Sequence, residues 1–264
     1  MLKKTKIMLM KFSFKIKIHC LTATIATIFI LLASHELYAK EDIKPTANNS
    51  SDYVILIHGV TRHKFSMLEY KTIFDRLGYQ AHIVDYQGDK YPISKIYNIV
   101  NKKITNIIKD KNKKVNFVGA SLGGILARMV LEYNPPLNIG RVVQISPPNK
   151  GSEFADNLIG SSHSEELFGP AIYQLGSGEN GIHNLLSPIK GYELGVIAGD
   201  NKIDDSWIHD ISGDNDGVIS IENTKVEGMK EHYIIHDNHK KIANNKETIS
   251  KTVKFITEGT FYGF

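Results

Sequence analysis

The chain has 264 residues, 42% of them hydrophobic and 23% charged, which excludes a disordered, collagen-like or multi-span membrane protein and suits a single domain. The formal net charge is +4, but six of the 32 basic residues and one of the 28 acidic residues lie within 1–39. The remaining 225 residues therefore carry a net charge of −1 and give no reason to expect a nucleic-acid partner.

Residues 1–39 pass from a lysine-rich lead (Lys3 to Lys17) through an apolar run, 20–33, to Leu37-Tyr38-Ala39, the order of a secretory signal peptide cut after Ala39. A membrane-spanning helix needs about 20 apolar residues. The run has 14, so export is the expectation and an uncleaved membrane anchor the alternative. Cys20 is the only cysteine and belongs to this segment, so the mature chain holds no disulfide, thiolate nucleophile or cysteine-based metal site.

Residues 40–52 are polar and turn-rich and read as a linker, with the folded domain at 53–264. Strand-like apolar runs follow at 53–57, 80–84, 115–118, 141–145 and 194–198, separated by longer helix-like segments. That alternation predicts parallel strands joined by helical crossovers. In 92–110, Ile93, Ile96, Tyr97, Val100, Ile104, Ile107 and Ile108 recur at three- and four-residue steps and predict a helix with lysines on its outer face. The stretch 240–258 predicts a second helix, with Ile242, Ile249, Val253 and Ile256 on one face. Residues 151–193, rich in Gly, Ser and Pro, interrupt the rhythm and predict a cap or lid.

The segment 115–124 (VNFVGASLGG) leads a strand into Gly119-Ala120-Ser121-Leu122-Gly123 and then into a helical pattern. A strained strand-to-helix turn needs small residues two before and two after the serine, and such a turn would hold Ser121 at a helix N-terminus, where developing negative charge is favoured. An acyl-transfer serine also needs oxyanion donors. The residue after the nucleophile and a residue in the loop after an earlier strand supply them, here the backbone N–H groups of Leu122 and Val60. His58 precedes Val60 at a strand end and reads as structural.

The acid and base should follow the serine in chain order. Asp200 and Asp216 compete for the acid; Asp216 is favoured because the Gly217-Val218 that follows it lets the chain turn back beneath an imidazole, with Asp214 a solvated turn residue. His239, in the polar turn Asp237-Asn238-His239, is favoured as base over His236 and His232. His239 would take the Ser121 proton during attack on an acyl carbonyl and later activate water, while Asp216 holds its tautomer.

HGVTR at 58–62, DY at 85–86, FVGASLGGILAR at 117–128, RVVQISPPNKGSEFAD at 141–156, VIAGD at 196–200, DGVISIENTKVEGMKEH at 216–232 and NHKKI at 238–242 together resemble bacterial lipase/esterase-type α/β-hydrolases. The resemblance implies a mostly parallel central sheet with helices on both faces and a small cap. It also implies a serine ester hydrolase with Ser121, Asp216 and His239 as triad and Val60 and Leu122 as oxyanion donors. Two positions depart from the pattern: Ala120 stands where relatives often have His, and Lys240 where a small hydroxyl residue is usual.

Weaker signals are set aside. Gly176-Ser177-Gly178-Glu179-Asn180-Gly181 matches G-x-G-x-x-G without a surrounding β-α-β unit, so it reads as a lid loop and not a dinucleotide site. The cluster Asp204, Asp205, Asp210, Asp214 and Asp216 lacks the spacing of a calcium loop, so neither a metal nor another cofactor is expected. The apolar pieces within 167–175 fit either a lid that meets a lipid interface or the cover of a small pocket. Three functions remain open: hydrolysis of a small-molecule or lipid ester, acyl transfer by the same triad, or non-catalytic lipid binding on the same scaffold.

Overall fold

The sheet starts at β1 (Tyr53–Ile57), an unbroken apolar run in which every residue is buried. The computed structural model of the chain describes residues 52–61, 64–159, 164–202 and 211–263. The expected signal segment with Cys20, most of the linker, Arg62 and the aspartates 204, 205 and 210 lie outside the described residues.

Five further strands follow: β2 (Gln80–Val84), β3 (Val115–Ala120), β4 (Ile139–Ile145), β5 (Glu193–Gly199) and β6 (Glu231–Ile235). They form one sheet in the order β2-β1-β3-β4-β5-β6, with every pairing parallel. Parallel sheets are covered on both faces, and the side chains of β1 divide accordingly. Tyr53, Ile55 and Ile57 join one core cluster and Val54 and Leu56 the other. On the first face lie α2 (Ile93–Ile107) and α3 (Leu122–Tyr133); on the second lie α1 (Leu68–Arg76) and α7 (Lys246–Glu258), the single turn α6 (Ile221–Thr224) coming before β6 in the chain.

The periodicity of 92–110 corresponds to α2, which buries Ile93, Ile96, Val100 and Ile104. Its ends are narrower than the pattern: Pro92 precedes it in extended conformation, and Ile108 turns extended after it. The last helix is also shorter than expected. Residues 242–244 make only a 3₁₀ turn, and α7 starts at Lys246 because the Asn245 side chain accepts the Glu247 N–H at 2.8 Å. Gly259, at φ 83°, ends it in left-handed conformation. The sequence did not delimit α1, which buries only Tyr70 and Phe74 and so offers too short an apolar stripe to read.

The interval 151–193 contains α4 (Glu153–Leu158), α5 (Ser164–Phe168) and two 3₁₀ turns, Ile172–Leu175 and Ile182–Leu185. It is tied down at both ends of its reach: Phe154 N–H donates to the Val218 carbonyl (3.4 Å), and Gly169 sits directly against Asp89. Ala171, Ile172 and Leu175 are buried in the first core cluster, whereas Leu167 is 66% exposed. The Gly176–Gly181 run lies between the two 3₁₀ turns with no strand leading into it, and Asp156 holds it through the Ser177 N–H (2.9 Å) and hydroxyl (2.5 Å).

Candidate active site

The strand order reverses direction at β1, since β2 adds to one side and β3 to the other. In an open parallel sheet the crevice beyond the carboxyl ends of the strands at such a reversal is where ligands bind. The carboxyl ends there are the 58–60 loop after β1 and Ser121 after β3.

Ser121 has φ 52° and ψ −123°, a conformation that costs a non-glycine residue roughly 1–3 kcal/mol and persists only where the surroundings enforce it. They do so here. The Ser121 N–H donates to Ile145 O (2.8 Å), and its carbonyl accepts from Gly124 N–H (2.9 Å). A Cβ on Gly119 would lie 2.5 Å from Gly123 O, and one on Gly123 would overlap the Ile57 carbonyl and come within 2.6 Å of His58 O. The two glycines therefore let the start of α3 press against the end of β1. Leu122, fully buried, is the first residue of α3, where backbone N–H groups lack intrahelical acceptors.

The loop carrying Val60 is held by His58, which is fully buried and stacked on Tyr86 at 4.3 Å between centroids and 5° between planes. His58 Nδ1 lies 2.8 Å from Gly59 O, and Nε2 lies 3.3 Å from Tyr86 N. Serving both groups requires the tautomer with the proton on Nδ1, which donates to Gly59 O while Nε2 accepts from Tyr86 N–H. The approach of Asp85 Oδ1 to Nε2 (3.3 Å) is then a contact without a hydrogen. The Tyr86 hydroxyl donates to His58 O at 2.5 Å, and burial holds that phenol well above its ordinary pKa. His58 thus braces the turn before Val60, the structural place the sequence suggested for it.

Asp216 is 1% exposed, with each carboxylate oxygen engaged. Oδ1 accepts from Val218 N–H (3.0 Å) and Ile219 N–H (2.9 Å), and Oδ2 lies 2.7 Å from His239 Nδ1. Gly217, at φ 88°, makes the return possible. The main chain repeats the link, because His239 N–H donates to Asp216 O at 2.9 Å. The other ring nitrogen of His239, Nε2, is 3.1 Å from Ser121 Oγ. A carboxylate only accepts, so the proton belongs on Nδ1 and Nε2 is left to accept from the serine hydroxyl.

The residues that competed in the sequence lie elsewhere. Asp200 Oδ1 is 2.8 Å from Nδ1 of His236, whose side chain is 79% exposed, so the two runners-up pair with each other at the surface. His232 Nε2 is 2.9 Å from the Thr224 hydroxyl. Of the acidic cluster considered for calcium, Asp214 and Asp216 are described, and the Asp216 oxygens are taken up as above.

Two supporting residues escaped the sequence reading. Tyr86 stands in the sequence only within a family-like dipeptide, and nothing local pairs it with His58, 28 residues earlier. Gly199 ends β5 beneath the acid: a Cβ there would lie 2.9 Å from Asp216 Cβ. A glycine closing an apolar strand was the available signal.

No protein-family profile matches the sequence. Among solved structures, the mature lipase BlEst2 of Bacillus licheniformis superposes with a TM-score of 0.61 at 18% identity, over 83% of this chain and 96% of its own. An esterase (EaEST) from Exiguobacterium antarcticum does so at 0.54 and 16%, over 79% and 93%. The phospholipase PlaB of Legionella pneumophila gives 0.51 and 18%, over 66% of this chain and 45% of its own. With its six parallel strands, helices on both faces and a strained serine turn after β3, the chain has the α/β-hydrolase fold.

Proposed function

We propose that the protein is an exported serine hydrolase that cleaves carboxylic esters, lipid acyl esters among them, through an acyl-enzyme intermediate. The observation that carries this reading is the continuous hydrogen-bonded series from Ser121 Oγ through His239 (3.1 Å at Nε2, 2.7 Å at Nδ1) to Asp216. In the first half-reaction Ser121 Oγ attacks the acyl carbonyl and its proton passes to His239 Nε2. The imidazolium is stabilised by Asp216 and then gives that proton to the leaving alkoxide. In the second half-reaction water loses a proton to the same nitrogen as it attacks the acyl carbon; the bond to Ser121 Oγ then breaks, that proton passes to Oγ, and the acid is released. The N–H groups of Leu122 and Val60 face the oxyanion in both steps; losing one such donor costs roughly 2.7–4 kcal/mol of transition-state stabilisation.

The names of the structural neighbours, a lipase, an esterase and a phospholipase, support an ester as substrate class. The lysine-rich lead and apolar run of residues 1–39 support export. A fluorophosphonate probe together with a chain-length series of p-nitrophenyl esters tests the reading. The wild type should be labelled and should turn over at least one ester, and Ser121→Ala should do neither. A wild type that is folded yet inert to probe and esters would refute it.

A further inference from the structure

The near-neutral balance of the domain conceals a separation of charge. Residues 90–114 carry eight lysines and one acid, Asp110, whereas residues 115–239 carry seven basic and seventeen acidic residues. Lys102 sits on the outer side of α2, and Lys109, Lys111, Lys113 and Lys114 follow in the loop to β3. Among the described residues none of these five is within ion-pair distance of a carboxylate. All but Lys113 are exposed. Lys113 lies over the Tyr53 ring, 5.9 Å from its centroid.

The same edge of the sheet presents an apolar side chain. Leu137, 79% exposed, is in the loop between α3 and β4. Both ends of that loop are fastened to the lysine-bearing segment: Asn134 Nδ2 donates to Asn101 Oδ1 (2.8 Å) and Asn138 Nδ2 to Lys111 O (3.0 Å). Asp52, the residue before β1, is bonded here as well. Lys114 N–H donates to Asp52 Oδ1 (3.0 Å), and the N–H groups of Lys109 and Asp110 reach the Tyr53 hydroxyl (3.2 Å each).

We propose that this face, formed by Lys102, Lys109, Lys111, Lys113, Lys114 and Leu137 at the amino edge of the sheet, seats the domain on a bilayer of anionic phospholipid. Unpaired lysines around an exposed leucine match a surface that offers phosphate charge above an apolar layer, whereas nucleic acid offers the charge without a phase for Leu137. Ser121 lies at the opposite edge, beyond the six-residue β3, which spans about 20 Å, so docking leaves the candidate active site open to solution. The proposal does not depend on the hydrolase reading.

The test is co-sedimentation of the full chain with phosphatidylcholine vesicles, with and without phosphatidylglycerol, at low and high salt. Binding should require phosphatidylglycerol and weaken with salt. The variant K109Q/K111Q/K113Q/K114Q should lose on the order of 600-fold in partitioning, from roughly fivefold per lysine at an anionic surface. L137Q should lose severalfold with an unchanged melting curve. The double variant K102Q/K111Q keeps the test decisive if the fourfold change perturbs folding. Wild-type-like binding by the variants, or binding indifferent to phosphatidylglycerol, would overturn the proposal. So would lysine variants that abolish self-association or RNA binding while leaving vesicle binding intact.

Discussion

Replacing Asp216 by Asn tests the site at the atom on which the proposed mechanism turns. The new side chain has nearly the same shape, and its oxygen can keep the Val218 and Ile219 N–H bonds at 3.0 and 2.9 Å. The amide nitrogen then faces His239 Nδ1 across the 2.7 Å contact, and as a donor it requires Nδ1 to accept. The imidazole proton moves to Nε2, which can no longer take the Ser121 proton across 3.1 Å. The opposite amide orientation would set its NH₂ against two backbone donors, costing about 1–3 kcal/mol for each unsatisfied group, so it offers no escape. A wrong tautomer in a serine triad lowers kcat by about 10⁴, or about 5 kcal/mol in the barrier. The measurement is kcat on the best p-nitrophenyl ester, with thermal unfolding as a check on folding. Asp200→Asn, at a side chain that among the described residues bonds the surface His236, should leave kcat unchanged. A folded Asp216→Asn enzyme within tenfold of wild-type kcat would refute the assignment of the acid, as would a collapse of activity in Asp200→Asn alone.

Three further outcomes follow from the same geometry. Gly123→Ala puts a Cβ into the Ile57 carbonyl and should cost about 1–3 kcal/mol or more in urea unfolding and abolish fluorophosphonate labelling; Gly124→Ala, whose nearest neighbour would be Gln144 Nε2 at 3.2 Å, should retain both. Tyr86→Phe removes the 2.5 Å bond to His58 O, so stability should fall by about 0.5–1.5 kcal/mol and labelling should slow as the Val60 loop loosens. His82, His183 and His232 all titrate below the ordinary histidine value, with burial the largest cause in each. The unfolded chain therefore takes up protons first, and their contribution to stability is complete above about pH 6.5 and is lost as pH falls below it. Urea midpoints at pH 7.5 and 5.5 should show that loss, and His232→Gln should reduce it; a pH-independent midpoint would contradict the assignment.

The legible parts of the chain were those in which one local pattern has a single physical solution. Apolar runs too short for helices, alternating with the 3.6-residue stripe of α2, left little choice but a parallel sheet with crossovers. Gly119 and Gly123 around Ser121 pointed to a strained turn, because few other contexts need two small residues at that spacing. Boundaries were less legible: a cap such as Asn245 overrides an apolar stripe that continues through Ile242. A helix with only two buried residues, as in α1, leaves almost no stripe at all.

The candidate site divides along the same line. Chain order and turn chemistry were enough to rank Asp216 and His239 above their neighbours, since an acid before Gly217 can fold back and a histidine in a loop can reach outward. Whether Nε2 comes to Ser121, 118 positions away, and whether Asp200 and His236 spend themselves on each other, depends on how the carboxyl ends of β3, β5 and β6 align. The support of the Val60 loop by Tyr86 and the room that Gly199 leaves for Asp216 belong to the tertiary structure for the same reason. Side-chain pattern dictates which elements form and which face is buried, but contacts between distant loops arise only when the packed sheet brings the strand ends together.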